Sequence, residues 1–78
     1  MKKITRSFES YKEASGDAWG FFKKFFETST DDAYWKAVIE CANEIGEKYE
    51  GTPLEDYVVE YLVVLMNELS RKHKEKNR

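Results

Sequence analysis

Thr52-Pro53-Leu54-Glu55-Asp56-Tyr57-Val58-Val59-Glu60-Tyr61-Leu62-Val63-Val64-Leu65-Met66 is the stretch that decides the fold. Its first four residues are a helix start. Thr52 can accept an orphan N–H, Pro53 sits where a missing N–H is harmless, and Glu55 follows three residues after the Thr. Gly51 suits the left-handed residue that closes a preceding helix. Residues 51–52 therefore read as a tight helix–helix turn. The helix after it is predicted over 53–74, with basic residues in its last turns, as the helix dipole favours. Between Tyr57 and Met66 the only charge is Glu60. At 100° per residue, Leu54, Tyr57, Val58, Tyr61, Leu62, Leu65 and Leu69 form one apolar stripe. Val59, Val63 and Met66 form a second, rotated by roughly 120°. Asp56, Glu60, Asn67 and Lys74 leave only a narrow wet face. A helix this apolar around its circumference is normally covered on several sides. Two placements satisfy that: the centre of a small bundle, or the seam with a second copy or another protein.

Upstream, a helix is predicted over 32–50, capped by Asp31 or Asp32. Tyr34, Trp35, Ala37, Val38, Ile39, Cys41, Ala42, Ile45 and Tyr49 fill an arc of about 200°, with the charged residues opposite. Glu44 and Lys48 make a favourable i,i+4 pair. Before it, Ala18, Trp19, Phe21, Phe22, Phe25 and Phe26 share a face of a helix over 18–28, with Asp17 as its cap. Phe8, Tyr11 and Ala14 or Ser15 suggest a short helix over 7–15 closed by Gly16. The expected architecture is all-α: a compact three- or four-helix bundle, helices about 7–15, 18–28, 32–50 and 53–74. One domain would span 1–78, with an N-terminal arm (1–6) and a frayed basic tail (75–78). The expected core is Trp19, Phe22, Phe25, Phe26, Tyr34, Val38, Cys41, Ile45, Tyr57, Val58, Tyr61, Leu62, Leu65 and Leu69.

A chain of 78 residues has room for one thin core. Its single cysteine, Cys41, excludes an intrachain disulfide, and its single histidine, His73, excludes a Cys/His zinc module. Two Trp, five Tyr and five Phe are the expected substitute, because aromatic rings bury much area per residue. No run of 18 apolar residues and no signal-peptide core is present. With the lone cysteine, that predicts a reducing, cytoplasmic setting.

The net charge of −2 hides segregation. Residues 1–30 carry +2, residues 31–60 carry −7 and residues 61–78 carry +3. A general nucleic-acid binder is usually net basic, so that class starts at a disadvantage.

Four features could carry function. The first is the Val59, Val63 and Met66 stripe, either core or a protein interface. The second is the ridge of Glu40, Glu44 and Glu47, either a solvated face or an acidic patch that steers a basic partner. The third is Trp19-Gly20-Phe21-Phe22-Lys23-Lys24-Phe25-Phe26. Its rings could fill the core, lie at a membrane surface or stack on single-stranded nucleic acid. The fourth is the basic termini, with Arg71, Lys72 and Lys74 (and Lys2, Lys3 and Arg6) as nucleic-acid contacts. Cys41 reads as a small core residue and His73 as a solvated one. No nucleophile–base pair, metal set or phosphate loop stands out, so the expectation is no enzyme, no cofactor and no small-molecule substrate.

The runs Ser7-Phe8-Glu9-Ser10-Tyr11-Lys12 and Ser15-Gly16-Asp17-Ala18-Trp19-Gly20-Phe21-Phe22-Lys23-Lys24-Phe25-Phe26, with Asp32-Ala33-Tyr34-Trp35 and Asn67-Glu68-Leu69-Ser70-Arg71, carry a resemblance. They are similar to short uncharacterised proteins of Gram-positive gut bacteria and their prophages or conjugative elements. The resemblance covers most of the chain, and its motifs are structural, so it assigns no functional residue. It implies a small protein that binds another protein, such as a mobile-element regulator or a host-defence inhibitor. The leading expectation is therefore a non-enzymatic protein-interaction module, homodimeric or bound to another protein. The alternative is a nucleic-acid-associated regulator using the basic termini.

Overall fold

The computed structural model describes residues 4–76, the last in its backbone only. Three helices follow one another: α1 (Phe8–Lys24), α2 (Asp32–Tyr49) and α3 (Glu55–Lys76). They run up, down and up in an elongated bundle of 45 × 20 × 17 Å. No strand occurs among the described residues. The tail's last residues, Asn77 and Arg78, and the arm's first three, Met1, Lys2 and Lys3, lie outside the described residues.

The two short helices expected over 7–15 and 18–28 are one continuous helix. Ser7 caps it, its Oγ accepting from the N–H of Ser10 at 3.2 Å. Gly16 does not close a helix, and Asp17 does not start one. Ala14, Ala18, Phe21, Phe22 and Phe25 form one buried line across that point. Their burial outweighs the cost of about 1 kcal/mol for a glycine inside a helix. The helix also stops at Lys24, four residues before the expected end. Phe25 takes the C-cap, its N–H bonded to the carbonyl of Phe21.

Asp31 caps α2, accepting from Ala33 N–H at 3.0 Å. After Tyr49 the chain turns through Gly51, the only described non-helical reversal in left-handed geometry (φ 76°). Thr52 then caps α3, with Oγ1 3.3 Å from Leu54 N. Regular helix begins at Glu55 rather than at Pro53, because the first turn closes by a bond from Glu55 N–H to Thr52 C=O. The Glu55 carboxylate reaches back to Gly51 N–H at 2.8 Å. It skips Thr52 N–H, which is taken by the carbonyl of Tyr49.

α3 lies against both other helices. Leu54, Val58, Leu62, Leu65 and Leu69 form its buried line. Phe22, Phe25 and Val38 are buried as expected, and Tyr34, Cys41, Ile45, Tyr57 and Tyr61 are half-buried. Trp19 and Phe26, expected in the core, are 57% and 45% exposed. Each helix of a three-helix bundle has only two neighbours, so Trp19, at the edge of a wide apolar arc, is left outside, and Phe26 comes after the end of α1. Ala14, Ala18, Phe21, Ala42, Tyr49 and Leu54 complete the core instead.

One end of the bundle is closed by a chain of rings, Phe25–Tyr34–Trp35–His73, with centroids 5.7, 4.7 and 5.5 Å apart. His73 is thus half-buried, with Nδ1 3.2 Å from Thr28 Oγ1, and not a solvated tail residue. At the other side Asp17 ties α1 to α2. Its Oδ2 accepts from Tyr49 Oη at 2.6 Å and from Lys48 Nζ at 2.8 Å. Burial works against the Asp17 carboxylate, but these bonds and the Lys48 charge outweigh it and hold its pKa below the usual value. Burial, then the bond to Asp17, pushes the Tyr49 hydroxyl up.

A depressed carboxylate pKa stabilises the fold above the unfolded-state value of about 4, and that contribution is lost as pH falls through the folded value. Asp17→Asn is therefore expected to cost about 0.5–1.5 kcal/mol at neutral pH. Its penalty should vanish in urea melts run well below pH 4. An equal penalty at both pH values would contradict the assignment.

Candidate functional site

Beside the buried line of α3, the second stripe is only partly covered. Val59 and Val63 remain 47% and 45% exposed, and Met66 is half-buried. Opposite them, α2 presents Ala42, Asn43 and Gly46. Gly46 lacks a side chain and Ala42 has a small one, so a groove of about 640 Å³ opens between the helices. A Cβ added at Gly46 would meet nothing within 4 Å. The glycine therefore serves no close helix contact, and its effect is to keep the groove open. Leu62 and Ala42 form the floor, and Val59, Val63 and Met66 form one wall. Glu47, Glu50 and Glu55 line the end where α2 stops and α3 starts.

Ile39 extends this face. It stands one turn before Asn43 at the i, i+4, i+7 spacing that Asn43 and Gly46 continue, and it is exposed. Exposed Glu40, Asp56 and Glu60 flank the groove through the same helical arcs. The result is an apolar trough with a carboxylate rim. No basic side chain lines it. Its volume falls within the usual range for binding clefts, about 300–1,000 Å³.

The expected interface residues separate into two groups. Val59, Val63, Met66 and Glu47 meet in the groove. Glu44 lines a smaller cleft of about 310 Å³ between α1 and α2, with Gly20, Phe21, Cys41 and Ile45. Glu40 is exposed on the ridge between the two. The second cleft holds its own counter-charges, with Asp17, Lys24 and Lys48 beside Glu44. It offers less to an external charged group.

Of the expected nucleic-acid contacts, Arg71 pairs with Glu68 at 2.9 Å. Lys72 donates to the carbonyl of Phe26 at 3.2 Å and lies 4.0 Å over the Phe26 ring. Lys74 is exposed near the end of α3. Arg6 donates to the Tyr11 hydroxyl at 3.2 Å, and Lys2 and Lys3 lie outside the described residues.

Sequence reading missed Ile39, Gly46, Glu50 and Glu55 as parts of one site. Ile39 stood at the edge of a 200° apolar arc, and that width was the usable signal: two neighbouring helices cannot cover so much. Gly46 had no local signature, because its role depends on what α3 places opposite.

Among the described residues, no group of three or more His, Cys, Asp or Glu is placed to hold a metal ion. No described helix is long and apolar enough to cross a membrane. Comparison with family models, curated proteins and solved structures gives no match.

Proposed function

We propose that this chain is a non-enzymatic protein-interaction module whose α2–α3 groove receives a cationic amphipathic helix of another protein. The observation that carries the reading is the composition of the groove: an apolar wall of Val59, Val63 and Met66 under a rim of Glu47, Glu50 and Glu55. An amphipathic helix laid in a groove anchors through apolar residues at i, i+3/i+4 and i+7. Lys or Arg on its flanks meets the rim carboxylates, which favours fast, salt-sensitive association. A regulator or a host-defence inhibitor from a mobile element would act in this way, by occupying a helix that its target needs.

The reading is tested with a synthetic Leu/Lys amphipathic helical peptide as probe. Binding to the wild-type chain should weaken as salt rises. Glu47 and Glu50 are both exposed, so Glu47→Lys/Glu50→Lys should leave the fold intact. Each exposed charge pair contributes about 0.2–1 kcal/mol, and reversal also adds repulsion. The double variant should bind the probe roughly tenfold more weakly. Equal affinity for the wild-type and reversed chains would reject the groove as the acidic docking face.

A further inference from the structure

Charge is uneven along the α2–α3 groove. Glu47, Glu50 and Glu55 line the end where α2 stops and α3 starts. Exposed Asp56 stands two turns before Val63 on the same line of α3. The lining residues at the other end, Asn43, Val63 and Met66, carry no charge. Beyond them, exposed Lys36 and Lys74 continue the lines of Asn43 and Val63. Exposed Asp32 and Glu40 continue those of Ile39 and Glu47, so bases and acids balance there. The groove is negative at one end and neutral at the other.

The chain's own backbone does little to offset this. α2 ends at the negative end, so its last carbonyls add to the negative side. α3 begins there, but the nearby N–H groups of Gly51 and Leu54 are already bonded, to Glu55 and to Thr52 Oγ1. A helix laid in the groove brings a dipole of its own. Its N-terminal end carries about half a positive charge and a first turn of N–H groups without intrahelical partners, and its C-terminal end carries the reverse. Against Glu47, Glu50 and Glu55 the first is attracted and the second repelled. At the neutral end, the Asn43 carboxamide can donate to the last carbonyls of such a helix.

We infer that the occupant of the groove enters in one direction, with its N-terminal end against Glu47, Glu50 and Glu55 and its C-terminal end beyond Met66. It runs parallel to α3 and antiparallel to α2, as a fourth helix of the bundle. This rests on the groove being the docking face for a cationic helix of another protein, and it adds the polarity and length of that helix. From Glu55 to Met66 the α3 wall is about 16 Å long at 1.5 Å per residue, so the occupant needs about three turns. Basic residues in its first turn, which oppose the dipole of a free helix, are favourable here because the groove carboxylates face them.

Paramagnetic relaxation enhancement on the isotopically labelled full chain tests this. The probe is the Leu/Lys peptide with acetyl and amide ends, carrying a nitroxide at its first or its last residue. The first-residue label should broaden the amides of Glu47, Glu50 and Gly51 several-fold more than those of Ile39 and Ser70, and the last-residue label should do the reverse. Glu47→Gln/Glu50→Gln changes two exposed residues and should reduce that preference. The opposite pattern in the wild type, equal broadening of both ends by either label, or an undiminished preference in the double variant overturns the inference. In those three cases peptide-induced shifts confined to the groove leave the groove reading standing. No peptide-induced shift in the groove removes both. Concentration-dependent shifts at the same amides without peptide would place a second copy of the chain there and overturn the inference.

Discussion

Leu69→Ala is expected to leave the chain largely unfolded at room temperature. Leu69 is fully buried at the end of the α3 line, beside Leu65 and the core supplied by the other two helices. Truncating a buried leucine costs the transfer free energy of the lost methyl groups plus a cavity term, about 2–5 kcal/mol. A domain of this size rarely has more than about 3–5 kcal/mol in total. The loss therefore consumes most of the stability. Urea titration followed by far-ultraviolet circular dichroism should show a pre-transition baseline lost or much shortened. Val64→Ala is the control. Val64 is exposed on the same helix, and a surface change of that kind stays within about 0.5 kcal/mol. If both variants unfold at the wild-type urea concentration, the buried line of α3 is not what holds the bundle.

Val63→Glu is expected to have the opposite profile, a stable fold with lost binding. Val63 is about half exposed and lies in the groove wall. In the free chain its new carboxylate can stay in water, so the melt should move little. When a helix covers the groove, that carboxylate is either buried without a partner or holds the helix away. Burying an unpaired polar group costs several kcal/mol, so affinity for the Leu/Lys peptide should fall more than a hundredfold. Calorimetric titration measures this directly. Retained affinity would mean that the peptide docks elsewhere, and a collapsed melt would mean that Val63 is a core residue.

The contrast between these two positions shows what was legible in the sequence. Both lie on the same apolar helix, and helical phase alone separated their stripes. The caps of α2 and α3 were also legible, because Asp31, Gly51 and Thr52 act through bonds to neighbours within four residues. The continuity of α1 was not legible. Gly16-Asp17 has the local appearance of a stop followed by a start. What overrides it is the line Ala14, Ala18, Phe21, Phe22 and Phe25 packed on two distant helices. Asp17 itself bonds to Lys48 and Tyr49, more than 30 positions away.

The twelve rings were legible as a substitute for covalent staples only in part. Phe21, Phe22, Phe25 and Tyr49 are buried and fulfil that role, while Phe8, Trp19 and Phe26 face solvent. Amphipathic periodicity ranks positions by angle, but it does not say how wide an arc the neighbours will cover. That width follows from the number of helices, and of the three or four expected the chain forms three, with the segments over 7–15 and 18–28 joined into one. The groove was half legible for the same reason. Its α3 wall came from one helix's own pattern, whereas its α2 wall depends on the absence of a side chain at Gly46 opposite Val59 and Val63.

In the proposed function, the acidic, apolar trough between α2 and α3 is the docking face for a cationic helix. The most direct measurement is a nuclear magnetic resonance titration of the isotopically labelled chain with the Leu/Lys peptide. Progressive shifts are expected at Ile39, Asn43, Gly46, Val59, Val63 and Met66, with the amides of the Asp17–Lys48 side unmoved. Shifts centred on the α1–α2 cleft around Cys41 and Glu44, or no shifts at saturating peptide, would contradict it.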